Sequence, residues 1–229
     1  SMARFLPSVM SPILFPEAPI NMKAKKSSII VYLCCSFMVA CTLSDLPDIP
    51  PVATELPCDP EEIERIGNRF GSWTDVNGKQ QFHGGIDFCP YEGKTATFYA
   101  IADGTVATVN TDTKLGLDGD KGAINYRIEI AISKHVKVDY HFEVGVDEIT
   151  RKPITLEEVK ANILVKKGQT VKAGDQIGII PYYEGGSHVH FSVHDEKYGG
   201  ETPEMPSPLS YFEPSVAEKL KAMDVLWEN

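Results

Sequence analysis

The sequence predicts a mainly β domain with a short helix near each end, and three observations carry this. From Phe70 onward, short runs of period-two apolar alternation recur between Gly, Pro, Asn and Asp clusters. The clearest run is Ile124 to Ile132, which sets Ile124, Tyr126, Ile128, Ile130 and Ile132 on one face and Asn125, Arg127 and Glu129 on the other. The run Ser187 to His194 does the same, with Val189, Phe191 and Val193 against His188, His190, Ser192 and His194. Many short strands bounded by turn signals suit an all-β architecture.

Asp59-Pro60-Glu61-Glu62 opens the first expected helix: Asp as N-cap, Pro in the first turn and acids at the positive end. It is expected to reach Asn68 and stop at Gly71. Thr95 to Ile101 and Thr105 to Asn110 read as strands joined in a hairpin at Asp103-Gly104. Residues 111–122, with three glycines, read as a loop. Val136 to Val144 is a further strand and contains His141. Residues 145–164 read as an insertion whose Thr155 and Glu158 are spaced as a capping box. It is either part of a cleft wall or a plain surface loop. Pro181 to Gly186 is the loop into the histidine-bearing strand. Val216 to Trp227 is expected to be an amphipathic helix.

At 229 residues the chain holds one domain with at most a small appendage. The formal net charge is −10, and without the first 41 residues, which carry four basic residues and one acidic, it is −13. Phosphate contacts need clustered Lys and Arg, so nucleic acid is set aside as a partner. Of five cysteines, Cys34, Cys35 and Cys41 lie in the N-terminal segment. Cys58 and Cys89 remain, either as a disulfide of an exported domain or as two buried thiols.

Three spans follow: residues 1–41 as an export segment, 42–57 as a Pro-rich linker and 58–229 as the domain. Met22-Lys23-Ala24-Lys25-Lys26 is a basic start, and Ile29 to Ala40 is an apolar run of signal-peptide length. The run ends Met38-Val39-Ala40-Cys41, which resembles a bacterial lipoprotein box with Met in place of the usual Leu. Cys41 is then lipidated and anchors the domain to a membrane in the cell envelope. The alternatives are an ordinary signal peptide or an uncleaved anchor, and each of them exports the domain. Pro47, Pro50, Pro51 and Pro57 make 42–57 an expected tether.

The chemistry concentrates in two places. Imidazoles side by side on a rigid strand, as in His188-Val189-His190, suit metal binding or proton transfer; a polar face with incidental histidines is the plainer reading. Upstream, Phe82-His83-Gly84-Gly85-Ile86-Asp87 places a histidine and a carboxylate four apart. The two glycines argue for a turn or a close backbone approach rather than a helix. His83 and Asp87 could meet the His-x-His strand at one metal, and two nitrogens, one oxygen and an open position make a catalytic zinc site.

Together these motifs resemble the lysostaphin/LytM-type zinc metallopeptidases that cut peptidoglycan cross-links. That family carries His-x-x-x-Asp, then a lone His, then His-x-His. Arg69-Phe70-Gly71, Ala100 to Val106 and Val165 to Gly178 also match family stretches, as does Pro206 to Phe212 at the close, so the resemblance spans roughly residues 66 to 212. It implies an antiparallel, sandwich-like β domain whose groove holds one zinc ion bound by His83, Asp87 and His190. His141 and His188 are then the catalytic residues beside it. His141 departs from the family's Tyr-x-His-Leu, since Asp139-Tyr140-His141-Phe142 shifts the aromatic by one; His135 is its rival, at a strand-end turn. The implied activity is hydrolysis of peptidoglycan cross-links. The alternative is a non-catalytic relative that activates or scaffolds other wall hydrolases. A biotinyl/lipoyl-like carrier shares the Val165–Gly178 pattern but needs an exposed Lys at a hairpin tip, which is missing here.

Overall fold

Seven antiparallel strands form the sheet on which everything else is hung. In the computed structural model the described residues are 43–76, 78–112, 125–144, 155–182 and 187–223. The chain divides into two units, Ser1–Met38 and Val39–Asn229, and every described residue lies in the second. The export segment, with Cys34, Cys35 and Cys41, lies outside the described residues.

The strands are β1 (Ile63–Ile66), β2 (Trp73–Val76), β3 (Lys79–Phe82), β4 (Gly85–Pro90), β5 (Thr95–Tyr99), β6 (Gly104–Asp112), β7 (Asn125–Ala131), β8 (Val136–Glu143), β9 (Thr170–Val171), β10 (Gln176–Pro181) and β11 (His188–Asp195). The large sheet runs β1-β4-β11-β8-β7-β6-β9. A second, two-stranded sheet pairs β10 with β5, and β2 pairs with β3 in a hairpin. Among the described residues there are also two α-helices, α1 (Leu156–Asn162) and α2 (Pro214–Ala222), and three short 3-10 turns. None of the helices among the described residues is long and apolar enough to cross a membrane.

Period-two alternation divides the large sheet into two unlike faces. One face carries Ile86 and Phe88, Val189 and Phe191, Tyr140 and Phe142, and Tyr126 and Ile128, all buried. The β5–β10 pair covers it through Phe98, Ile177 and Ile180. Phe98 meets Phe142 edge-on at 5.4 Å between centroids, and Tyr126 stacks on Phe142 at 4.2 Å. Each buried Phe or Ile contributes about 1.5–3 kcal/mol. The buried phenols find acceptors across the layers: Tyr126 donates to the Ile179 carbonyl, and Tyr140 to the Tyr99 carbonyl at 2.8 Å. The opposite face therefore rests on a close-packed floor. It carries Asp87, Arg127, Asp139, His141, Glu143, His188, His190, Ser192 and His194.

The mainly β, antiparallel architecture holds, as do the capping box of α1 and a C-terminal helix. Thr155 Oγ1 accepts from the Glu158 amide and Glu158 accepts from the Thr155 amide. Helix α2 buries Val216, Ala217 and Leu220; residues 224–229 lie outside the described residues.

Two local expectations fail. The helix expected from Asp59 to Asn68 is a single 3-10 turn, Pro60–Glu62, capped by Asp59, and the chain then enters β1. Ile63 is buried there, and β1 adds to the edge of the sheet against β4, so tertiary packing overrides the cap signal. The hairpin at Asp103-Gly104 is absent: β5 pairs with β10, whereas β6 pairs with β7 and β9. Asp103 turns the chain toward another segment instead, accepting from the Ala173 amide at 3.0 Å and the Lys172 ammonium at 2.7 Å.

The linker, expected as a tether, is in part docked. Leu46 and Ala53 are buried, and the Ala53 amide donates to the Tyr211 carbonyl at 2.8 Å. Cys58 and Cys89 are separate buried thiols.

Candidate metal centre

The register of β4, β11 and β8 brings the sequence motifs together. His190 lies opposite Asp87 on one side and opposite His141 on the other, and His188 lies opposite Glu143. Because the alternation is the same on all three strands, these side chains share the polar face. His83 arrives just after β3; its amide donates to the Ser72 carbonyl and its carbonyl accepts from the Gly71 amide, both at 2.9 Å.

His83, Asp87 and His190 form a group that could hold a metal ion. His83 Nε2 is 3.1 Å from Asp87 Oδ1, His190 Nδ1 is 2.9 Å from the same oxygen, and the two ring nitrogens are 3.1 Å apart. Donor atoms around one tetrahedral zinc stand about 3.3 Å apart when bonds are about 2.0–2.1 Å. The triangle is thus tight enough, and chemically suited, to close on one small ion.

Each of the three is also held from behind. His83 Nδ1 donates to the Arg69 carbonyl at 3.0 Å, which turns Nε2 toward Asp87. Asn68 donates to Asp87 Oδ2 at 2.7 Å, leaving Oδ1 for the triangle. His190 Nε2 donates to Glu201 Oε1 at 2.9 Å, which turns Nδ1 inward. Partners of this kind fix tautomer and ring orientation. Glu201 reaches the site from the turn after β11, and its other oxygen accepts from the Gly84 amide at 3.2 Å. A Cβ on Gly84 would stand 2.6 Å from Glu201 Cβ and Cγ, so glycine there makes room for the carboxylate.

The electrostatics match a site built for positive charge. Burial alone would raise the Asp87 carboxyl, but hydrogen bonds from His190 and His83 outweigh it and hold the group well below the usual carboxylate range. Glu201 likewise overcomes burial through His190 and His194 and is held low. Burial would lower His190, yet the bonds to Asp87 and Glu201 push it up to about 10. A proton on His190 answers the two carboxylates.

The remaining histidines divide cleanly. His188 Nε2 stands 3.8 Å from Asp87 Oδ2 and 3.6 Å from Glu143 Oε2, beside the triangle. His141 Nδ1 is 3.2 Å from Glu143 Oε1. The rival His135 is exposed at the β7–β8 turn, 3.0 Å from Glu196, away from this group. His194 shares the strand face but contacts Ser192 at 3.0 Å and Glu201 at 3.7 Å. Glu201, Glu143 and Asn68 belong to no motif in the sequence. Glu143 had a signal, two residues after His141 on one strand face; Glu201 had none, because it meets Gly84 across 117 positions.

No family model matches the chain, and no curated relative matches it. Solved structures do. A zinc-containing peptidase from Vibrio cholerae is 25% identical over 64% of this chain and 37% of its own, with TM-score 0.43. A chain of the SpoIIQ–SpoIIIAH pore-forming complex is 20% identical over 75% of this chain and 98% of its own, with TM-score 0.48. Lysostaphin is 20% identical over 63% and 56%, with TM-score 0.38. This chain spans well under two thirds of the Vibrio cholerae protein and of lysostaphin.

Glu201→Ala is expected to weaken zinc binding about 10–100-fold, the usual cost of losing an outer partner of a ligating histidine. Glu201→Gln keeps an acceptor for His190 Nε2 and is expected to recover part of it. Competition against a chromophoric chelator reads both, and equal affinities for wild type and Glu201→Ala would remove Glu201 from the site.

Proposed function

We propose that this chain is a zinc-dependent endopeptidase that hydrolyses peptide cross-links of bacterial peptidoglycan, exported and held at the cell envelope by a lipid on Cys41. The observation that carries the reading is the His83–Asp87–His190 triangle, each member fixed from behind, with His188 and His141 beside it on one rigid sheet face.

His83, Asp87 and His190 would hold the zinc, with His83 offering Nε2, Asp87 Oδ1 and His190 Nδ1. A zinc held there would supply Lewis acidity and a water of pKa about 7. His188 and His141 supply proton transfer at their ring nitrogens, one taking a proton from the attacking water and one giving a proton to the leaving amine. A protonated imidazole also donates a hydrogen bond to the oxyanion that forms on the carbonyl. The polar face of β4, β11, β8 and β7 offers a floor for an extended peptide, and its packed underside keeps these groups in place.

The zinc-loaded full chain, incubated with purified sacculi of several wall types, is expected to convert cross-linked muropeptide dimers to monomers. Mass spectrometry of the products names the bond. His188→Ala is expected to bind zinc and cut at least about 100-fold more slowly, the contribution of one positioned acid–base group. Zinc binding without any cutting in wild type would overturn the enzyme reading in favour of a non-catalytic activator. No zinc binding would overturn the site itself.

A further inference from the structure

The motifs leave one carboxylate of the site without a role. Glu143 ends β8, two residues after His141 and on the same face, directly opposite His188 on β11. Its side chain is 21% exposed and that of His141 only 8%. His141 Nδ1 stands 3.2 Å from Glu143 Oε1, while His141 Nε2 is buried and has no hydrogen-bond partner among the described residues. The second oxygen, Oε2, faces His188 Nε2 at 3.6 Å.

A buried ring nitrogen without a partner costs free energy unless something arrives to bond it. Which nitrogen of a neutral imidazole carries the proton is set by the bond the other makes. A carboxylate can only accept, so it selects the Nδ1–H tautomer of His141 and leaves Nε2 as a bare acceptor. Glu143 is suited to this because it stays ionised. Burial would raise its carboxyl, but the hydrogen bond from His141 and the nearby His188 hold it below the usual range.

We propose that Glu143 is the positioning residue of His141, fixing its ring and tautomer so that Nε2 is kept as an unprotonated acceptor. The inference rests on the peptidase reading for its consequence in catalysis, and on geometry alone for the tautomer. It assigns the chain a carboxylate–histidine pair next to the metal ligands, built from two residues of one strand. Glu143 acts through His141 and holds no metal, so its loss should spare zinc binding.

The test uses the full chain, zinc-loaded, with nitrogen-15 histidine. Long-range correlation spectra of wild type are expected to show His141 with the proton on Nδ1. In Glu143→Ala the proton is expected to move toward Nε2, and kcat to fall roughly 10–100-fold, a part of what a positioned acid–base group supplies. KM and zinc affinity should stay within about twofold, and Glu143→Gln, which keeps an acceptor oxygen, should restore part of both tautomer and rate. On a His141→Ala background, Glu143→Ala should cost little more, as expected when one residue acts through the other. The inference is overturned if His141 keeps its Nδ1 proton in Glu143→Ala, if zinc affinity falls along with the rate, or if the two losses simply add. A wild type that cuts nothing would sink the peptidase reading instead, and the tautomer measurement would still decide the role of Glu143.

Discussion

Asp87→Asn is expected to lower zinc affinity by about 100- to 1000-fold and to take hydrolysis with it. Structural zinc binding is worth about 10–16 kcal/mol at pH 7 over four ligands, so one ligand carries roughly 3 kcal/mol, and each 1.4 kcal/mol is tenfold. Asp87 is also the one anion among the three, and both ring nitrogens lie within 3.1 Å of its Oδ1. The pH dependence has a definite sign. His190 is held up to about 10 by Asp87 and Glu201, so below that pH zinc must displace a proton from His190 Nδ1. Wild-type affinity should therefore rise with pH, by up to tenfold per unit, across the range from about 6 to 9. Removing the Asp87 charge takes away one of the two groups that hold the proton, so the rise in the variant should flatten at lower pH. Chelator competition over that range measures both. An affinity that ignores pH, or a variant within tenfold of wild type, would mean that zinc is held elsewhere.

The parts of this site that were legible were those governed by local rules. Alternation in 124–132, 136–144 and 187–194 places Arg127, His141 and His190 on one face. Two glycines between His83 and Asp87 mark a close backbone approach. What was not legible depended on partners distant in the chain. Asp103-Gly104 has the composition of a hairpin turn, but the Asp103 oxygens go to Lys172 and Ala173, and β6 finds β7 and β9 instead. Asp59 does cap a turn, as its neighbours suggested, yet burial of Ile63 beside β4 converts the following residues to strand. Glu201 sits in a polar turn that looks like any other, and only the fold carries it to Gly84 and His190. Proton placement at the site thus depends on residues that no motif contains as well as on Asp87.

Gly85→Ala tests the other half of that dependence, the backbone under the ligands. Gly85 pairs with Ser192 where β4 and β11 meet. A Cβ there would lie 2.6 Å from His190 Cε1 and Nε2 and 2.7 Å from the Phe191 carbonyl oxygen. Neither neighbour can give way cheaply. The carbonyl belongs to a central strand of the sheet, and the ring is held at both nitrogens, by Asp87 Oδ1 and Glu201 Oε1, each at 2.9 Å. The strain must be relieved by opening the β4–β11 ladder or by turning His190 out of the triangle. Overpacking of this kind costs about 1–3 kcal/mol, which at this size is a fall of roughly 3–10 °C in Tm. Zinc affinity should drop by at least about 100-fold, because the displaced ring is one of the three proposed ligands. Gly84→Ala provides the contrast, since the three atoms nearest its Cβ would all belong to the Glu201 side chain. It should behave like Glu201→Ala in zinc affinity, with little change in Tm. Thermal melts with and without zinc, beside the chelator titration, separate the two. If Gly85→Ala binds zinc like wild type, the close approach of β4 to His190 is not what positions the ligands.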